Sequence, residues 1–279
     1  MAWDKSFKNK ICVVTGAGSG IGRAVAIRLS QLGAKLALCD ISDGALKETL
    51  TLLDKTNVMS VSLRAFDVAS AQAIKDYALF VEENVGPADY LFNIAGLARV
   101  GTFDKTPLSS FEKVMDVNFY GPVRLCKAFL DSLKQTQGAI INISSVFGMI
   151  GFPGQTHYCA SKFAIRGFSE TLAQELEPLG VFVSSVHPGG VATNIARSAE
   201  VDALPNHGLT RDEMNAEFDK AAITSPEKAA EIILKGAAKR KRRILVGADA
   251  GMISLITRFF PVGYARILKA LQPDTYKAL

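Results

Sequence analysis

The chain of 279 residues has only one tryptophan, three histidines and four cysteines. Cys12, Cys39, Cys126 and Cys159 show no zinc-like spacing, and two of them fall in expected buried strands. They read as reduced thiols serving as small apolar side chains, with no metal site. No uninterrupted apolar run reaches the roughly 20 residues of a membrane span, and no N-terminal segment joins basic residues to an apolar core and a cleavage site, so a cytoplasmic protein is expected. The excess of positive charge is small, 32 Lys and Arg against 27 Asp and Glu. The basic run Lys239 to Arg243 has no interleaved aromatics, which argues against specific nucleic-acid binding. No internal repeat or low-complexity tract appears. With 48% hydrophobic residues, the chain can bury one sizeable core.

What is present is a regular alternation of short apolar runs and amphipathic stretches. Strands are expected near 11–14, 35–39, 59–66, 89–92, 139–143, 181–186 and 243–246, and helices at 20–32, 42–55, 70–85, 108–135, 155–177 and 226–238. That order predicts an α/β fold, a doubly wound seven-stranded parallel sheet with helices on both faces. The strand ends carrying Gly16, Asp40, Asp67, Asn93, Ser145 and His187 then share one edge, where open α/β sheets bind ligands.

Two motifs carry chemistry. Ile11 to Val14 is followed by Thr15-Gly16-Ala17-Gly18-Ser19-Gly20-Ile21-Gly22 and an amphipathic helix, the strand–turn–helix context in which glycines let a backbone approach a pyrophosphate at a helix N-terminus. The second strand ends at Asp40, an acid suited to bonding the adenosine ribose hydroxyls and repelling a 2′-phosphate, which favours NAD over NADP. As a rival reading, Asp40 caps the next helix. Further on, Tyr158 and Lys162 stand one helical turn apart, thirteen positions after Ser145. A phenol titrates near 10 and needs a neighbouring cation to exchange protons at neutral pH, Lys162 can be that cation, and Ser145 can bond the substrate oxygen.

With these motifs, residues 8 to 250 resemble the classical branch of the short-chain dehydrogenase/reductase family. Thr15 to Gly22 is similar to its T-G-x-x-x-G-x-G loop, and Asn93-Ile94-Ala95-Gly96 to its N-N-A-G, with Ile94 as the one departure. Ser145, Tyr158 and Lys162 match its catalytic set, and Asn118 its fourth member, which holds a water in a proton relay. The resemblance implies one NAD-binding Rossmann domain over residues 1–279. It also implies cofactor contacts from Gly16, Gly18, Ser19, Gly20, Ile21, Gly22, Asp40, Ile41, Asp67, Val68, Asn93, Ala95, Gly96, Tyr158, Lys162, Pro188, Gly189, Val191 and Thr193. The expected activity is hydride transfer between NAD(H) and a small hydrophobic alcohol, aldehyde or ketone, with Tyr158 as general acid/base and Lys162 lowering its pKa. Two rivals are a regulatory protein that binds the cofactor without turnover, and a sugar-nucleotide epimerase or dehydratase of the extended branch. Loss of Tyr158 or Lys162 would mark the first and G-x-x-G-x-x-G spacing the second, and neither is seen.

Several residues have plainer readings. Asn118 could be a helix-bend residue, His157 and His187 satisfied structural histidines, and Cys159 a packing residue. A substrate lid is expected over about 194–222, with Ile195, Val201, Leu204, Leu209, Met214 and Phe218 as apolar members; Val146, Phe147, Met149, Ile150 and Phe152 could also line the pocket. The apolar extension over about 249–279 admits two readings. It packs on the body or on a second subunit of a homodimer or homotetramer, the preferred reading, or it makes a peripheral contact with anionic membrane aided by Lys239 to Arg243.

Overall fold

The computed structural model describes residues 2–56, 60–195, 197–203 and 210–271. Among the described residues the strands are β1 (Ile11–Thr15), β2 (Lys35–Asp40), β3 (Val61–Ala65), β4 (Tyr90–Asn93), β5 (Arg99–Val100), β6 (Ala139–Ile143), β7 (Phe182–Pro188), β8 (Glu200–Val201) and β9 (Arg243–Val246). The helices are α1 (Gly20–Gln31), α2 (Asp43–Leu52), α3 (Ala71–Asn84), α4 (Leu108–Met115), α5 (Gly121–Ala128), α6 (Leu130–Thr136), α7 (Thr156–Leu176), α8 (Arg211–Ala221), α9 (Pro226–Ala238), α10 (Ala248–Phe259) and α11 (Tyr264–Leu271).

Seven strands form one parallel sheet in the order β3-β2-β1-β4-β6-β7-β9. Parallel strands covered on both faces must be apolar throughout, and every residue of β1 and β6 is buried. Leu29, Leu46, Ile233 and Leu234 cover one face of the sheet, and Ile74, Val81, Leu125, Leu133 and Leu176 cover the other. Helix starts are set by hydroxyls: Ser42, Ser70 and Ser225 each accept an amide hydrogen from three residues on. The strand order reverses between β1 and β4, and the crevice at that switch point is the expected ligand site.

The structure departs from the sequence reading in three places. The helix expected over 108–135 is broken by a π-turn at Asp116–Tyr120 and again at Phe129. Pro122, near the start of α5, has no N–H and would collide with a regular turn before it, and the π-turn absorbs this. The lid contains a helix, α8, opened by a reciprocal cap in which Thr210 accepts from the Glu213 amide and Glu213 accepts from the Thr210 amide. It also contains β8, which pairs in parallel with β5 in a separate two-stranded sheet. Leu204 and Leu209, and the side chain of Met214, lie outside the described residues, as do residues 272–279 of the extension.

The basic run resolves into body contacts: Arg242 pairs with Glu177 and Arg243 with Glu170, each at 2.7 Å. No helix among the described residues is long and apolar enough to cross a membrane.

Candidate active site

One continuous cavity of about 1160 Å³ runs along the C-terminal ends of the strands, from Asp40 and Ile41 at one end to Leu268 and Leu271 at the other. Its first half is built by the glycine loop. Gly20 has φ +51°, and a Cβ on Gly22 would overlap the Gly16 carbonyl, so the turn from β1 into α1 closes only with glycine at these positions. Ser19 makes no side-chain cap, which leaves the first amides of α1 available to an anion. Asp40 accepts from the Gly18 amide at 2.9 Å and from the Ser42 amide at 3.0 Å. Ser42, and not Asp40, caps α2, so the rival role for Asp40 falls away. Arg23 bonds the Gly18 carbonyl, Glu48 and Thr49 and clamps the loop from behind. Asp67 and Val68 line the same end, joined by Phe66, which sequence reasoning did not single out.

Of the expected contacts, Gly16, Ser19, Gly20, Ile21, Gly22, Asp40, Ile41, Asp67, Val68, Ala95, Gly96, Tyr158, Lys162, Pro188, Gly189, Val191 and Thr193 line the cavity. Gly18 does not; its amide is engaged by Asp40. Asn93 does not line the cavity either. It points to the α5/α7 side of the sheet, where Nδ2 donates to Asn142 Oδ1 at 2.8 Å, and Asn142 in turn donates to Ser169. Side-chain alternation along β4 puts Asn93 on the same face as Leu91 and away from the cleft, whereas Ile94 beyond it does line the cavity.

At the middle of the cavity Ser145 ends the β6 crossover and accepts from the Phe147 amide at 3.1 Å. Ser145 and Tyr158 border the same stretch of the cavity. Burial pushes the phenol up to about 12, against the lowering influence of Ser145. Lys162 lies 5.5 Å from the centroid of the Tyr158 ring, with Nζ donating to the Ile143 carbonyl at 3.1 Å. Its own burial lowers it to about 8. Lys162 Nζ lies over the Tyr158 ring, and removal of water is the largest influence on the phenol in this structure.

Asn118 is buried outside the cavity lining, in the π-turn. Its Oδ1 accepts from the Leu97 amide and its Nδ2 donates to the Leu97 carbonyl, both at 2.9 Å, and to Ser161 at 3.1 Å. Its side chain thus braces the loop after β4. His187, with one ring nitrogen at 3.2 Å from the Ser145 carbonyl and the other at 3.1 Å from Ser185 Oγ, is fully satisfied and holds the serine backbone. That pairing selects the neutral form with the proton on Nδ1, and burial lowers its pKa to about 4.

The far half is apolar, with Val146, Phe147, Ile150, Phe152, Ile195, Phe218, Met252 and Leu268 among its walls; Met149 lies behind it against Ala250. The segment expected as the lid is held by Arg99. Its guanidinium makes two bonds to Asp202, at 2.6 and 3.0 Å, and a third to Glu200, while Ser110 donates to Asp202 at 2.7 Å. Arg99 and Asp202 lie 103 positions apart, so no local signal could have revealed the latch.

Comparison with known proteins decides the family. Residues 10–203 match the model for short chain dehydrogenases. The chain belongs to the short-chain dehydrogenase family, whose members are oxidoreductases. It is 41% identical over 271 residues to the Mycobacterium tuberculosis oxidoreductase SadH, covering 95% of this chain and 96% of that one. It is 32% identical to the 3-ketodihydrosphingosine reductase of Mus musculus, covering 88% and 73% of the two chains. A short-chain dehydrogenase/reductase from Burkholderia phymatum, crystallised in complex with NAD, superposes with a TM-score of 0.81 at 28% identity, over 92% of this chain and 96% of that one.

Proposed function

We propose that this enzyme is an NAD(H)-dependent oxidoreductase interconverting a hydrophobic alcohol and its carbonyl, with Tyr158 as the general acid/base. The reading rests on one observation: Ser145, Tyr158 and Lys162 border the same cavity as the glycine loop and the carboxylate of Asp40. The cradle suits a dinucleotide: glycine where a Cβ cannot fit, open amides at the start of α1, and an acid where the adenosine ribose would lie. NAD(H), when bound, supplies or takes up the hydride. Ser145 orients the substrate oxygen, and Tyr158 exchanges a proton with it. Lys162, at the same wall, is the cation suited to the nicotinamide ribose.

The phenol, pushed up to about 12, is protonated at neutral pH, which suits it to act as an acid in carbonyl reduction. Alcohol oxidation needs the phenolate, so its rate should rise with pH. The apolar far half supports a hydrophobic substrate, and the name of the mouse relative, a reductase of a 3-keto compound, agrees with a ketone.

Replacing Tyr158 with Phe removes only the hydroxyl. Turnover of a ketone should fall by two orders of magnitude or more, while NADH binding, followed by fluorescence, persists. Near-normal turnover would refute the assignment.

A further inference from the structure

The C-terminal helix pair has two unlike faces. Inward, Ala250 and Ile253 pack on Val146, Phe147 and Met149, and the Tyr264 hydroxyl accepts from the Gly151 amide at 2.9 Å. Outward, Leu255, Phe259, Phe260 and Val262 are 59%, 69%, 54% and 92% exposed. A single exposed leucine is ordinary, but four large apolar side chains within eight residues form a patch of the kind that marks an interaction surface. Alongside them stand Arg258, Arg266 and Lys269, all exposed, and between Ala250 and Leu271 there is no Asp or Glu. Met252 and Leu271 belong to both worlds. They line the cavity and are 43% and 58% exposed, so the cavity mouth opens on this face.

Charge selects the occupant. A second copy seated here about a two-fold axis would set three cations against their own counterparts, with no acid on the face to answer them. A bilayer bearing anionic headgroups takes the apolar residues and the cations together. We propose that the outer face of α10 and α11 docks on an anionic lipid surface and turns the cavity mouth toward it, so that an apolar carbonyl or alcohol dissolved in the bilayer enters without crossing water. The docking is independent of the oxidoreductase reading, and the delivery of substrate rests on it.

The test is co-sedimentation of the full chain with vesicles of phosphatidylcholine mixed with phosphatidylglycerol, against phosphatidylcholine alone, at low and high salt. The native protein should sediment with the anionic vesicles and be released by salt. Each basic residue near such a surface contributes roughly a fivefold gain in partitioning, so the triple variant R258Q/R266Q/K269Q should lose on the order of a hundredfold. The variant F259S/F260S should lose at least about tenfold. None of these five residues lines the cavity, so all variants should keep NADH binding and turnover of a short soluble substrate. Equal sedimentation with both kinds of vesicle, or with neither, overturns the proposal. So does a drop in oligomeric mass of F259S/F260S in sedimentation velocity, which would make this face a contact between copies. The Y158F enzyme separates the two readings, because its vesicle binding should be native whatever happens to its turnover.

Discussion

The two ends of the cavity are made in opposite ways. At the cofactor end, backbone geometry does the work: a turn that admits no side chain at Gly22, open amides at the head of α1, and a carboxylate held by the amides of Gly18 and Ser42. At the substrate end, walls come from segments far apart in sequence, β5 with β8, the loop after Ser145, and α10 with α11, and ion pairs and apolar contacts hold them together. The first end leaves no freedom for the shape to differ without breaking the sheet edge. The second can change its lining without touching the fold, which suits one chemistry served to different substrates.

The sharpest way to break this contrast is at Gly22. Alanine there must push against the Gly16 carbonyl, which is backbone and cannot rotate away. Gly22→Ala should cost at least about 3 kcal/mol, at the upper end for overpacking, in denaturant unfolding without cofactor. A variant as stable as the native protein would mean the turn is as adjustable as the lid.

At the other end the matching change is Arg99→Leu. It strands Asp202, which is almost fully buried, without its partner. Removing one member of a buried pair typically costs 3–5 kcal/mol, and the part exposure of Arg99 reduces that to about 2–3 kcal/mol. If the lid is a separate layer, the loss should appear as lid opening, read by hydrogen exchange in residues 197–203 and 210–221 and by a raised KM, with the unfolding midpoint of the sheet little changed. A global loss of the same size would place the latch in the core.

His187 sits where the two ends meet. Its folded pKa, near 4, lies below its ordinary value of 6.5, so the unfolded chain binds more protons between these two values. Stability therefore falls as pH drops from 6.5 toward 4, by about 2 kcal/mol at pH 5 relative to pH 7.5. His187→Asn retains a donor for Ser145 and an acceptor for Ser185 but does not titrate, so this portion of the acid sensitivity should vanish in its unfolding curves. An unchanged pH slope would assign the acid sensitivity to other groups.

The same contrast explains what was legible beforehand. The seven sheet strands and the residues at their ends could be read because buried parallel strands must be continuous apolar runs, and ligand loops follow them. Residues 200–201 and 99–100 are two-residue strands with no pattern to read, and α8 is polar on most sides. Its opening carried a usable signal all the same, Thr210 with Glu213 three positions on, as Pro122 did for the break after α4. Asn93 shows the limit of a motif read alone: alternation along β4 sends its side chain to Asn142. The tail was read as either packed or lipid-facing, and the structure divides these between two faces, the inner one packed and the outer one bare.

The smallest expected effect tests the cofactor end once more. Both Asp40 oxygens accept amide hydrogens, from Gly18 and Ser42, so the carboxylate is fixed at the rim of the cavity, where in the proposed binding mode its charge would meet a 2′-phosphate. The native enzyme should prefer NAD over NADP at least tenfold in kcat/KM, about 1.4 kcal/mol. Asp40→Asn retains an acceptor for Gly18 and removes the charge, whereas Asp40→Ser shortens the side chain and opens space for a phosphate. Both should narrow the preference, with Ser narrowing it further, and the Asn variant should keep the unfolding midpoint of the native protein more closely. If the native enzyme uses the two cofactors equally, the carboxylate serves only to hold the loop, and selectivity must come from elsewhere on the rim, with Ile41 the first position to examine.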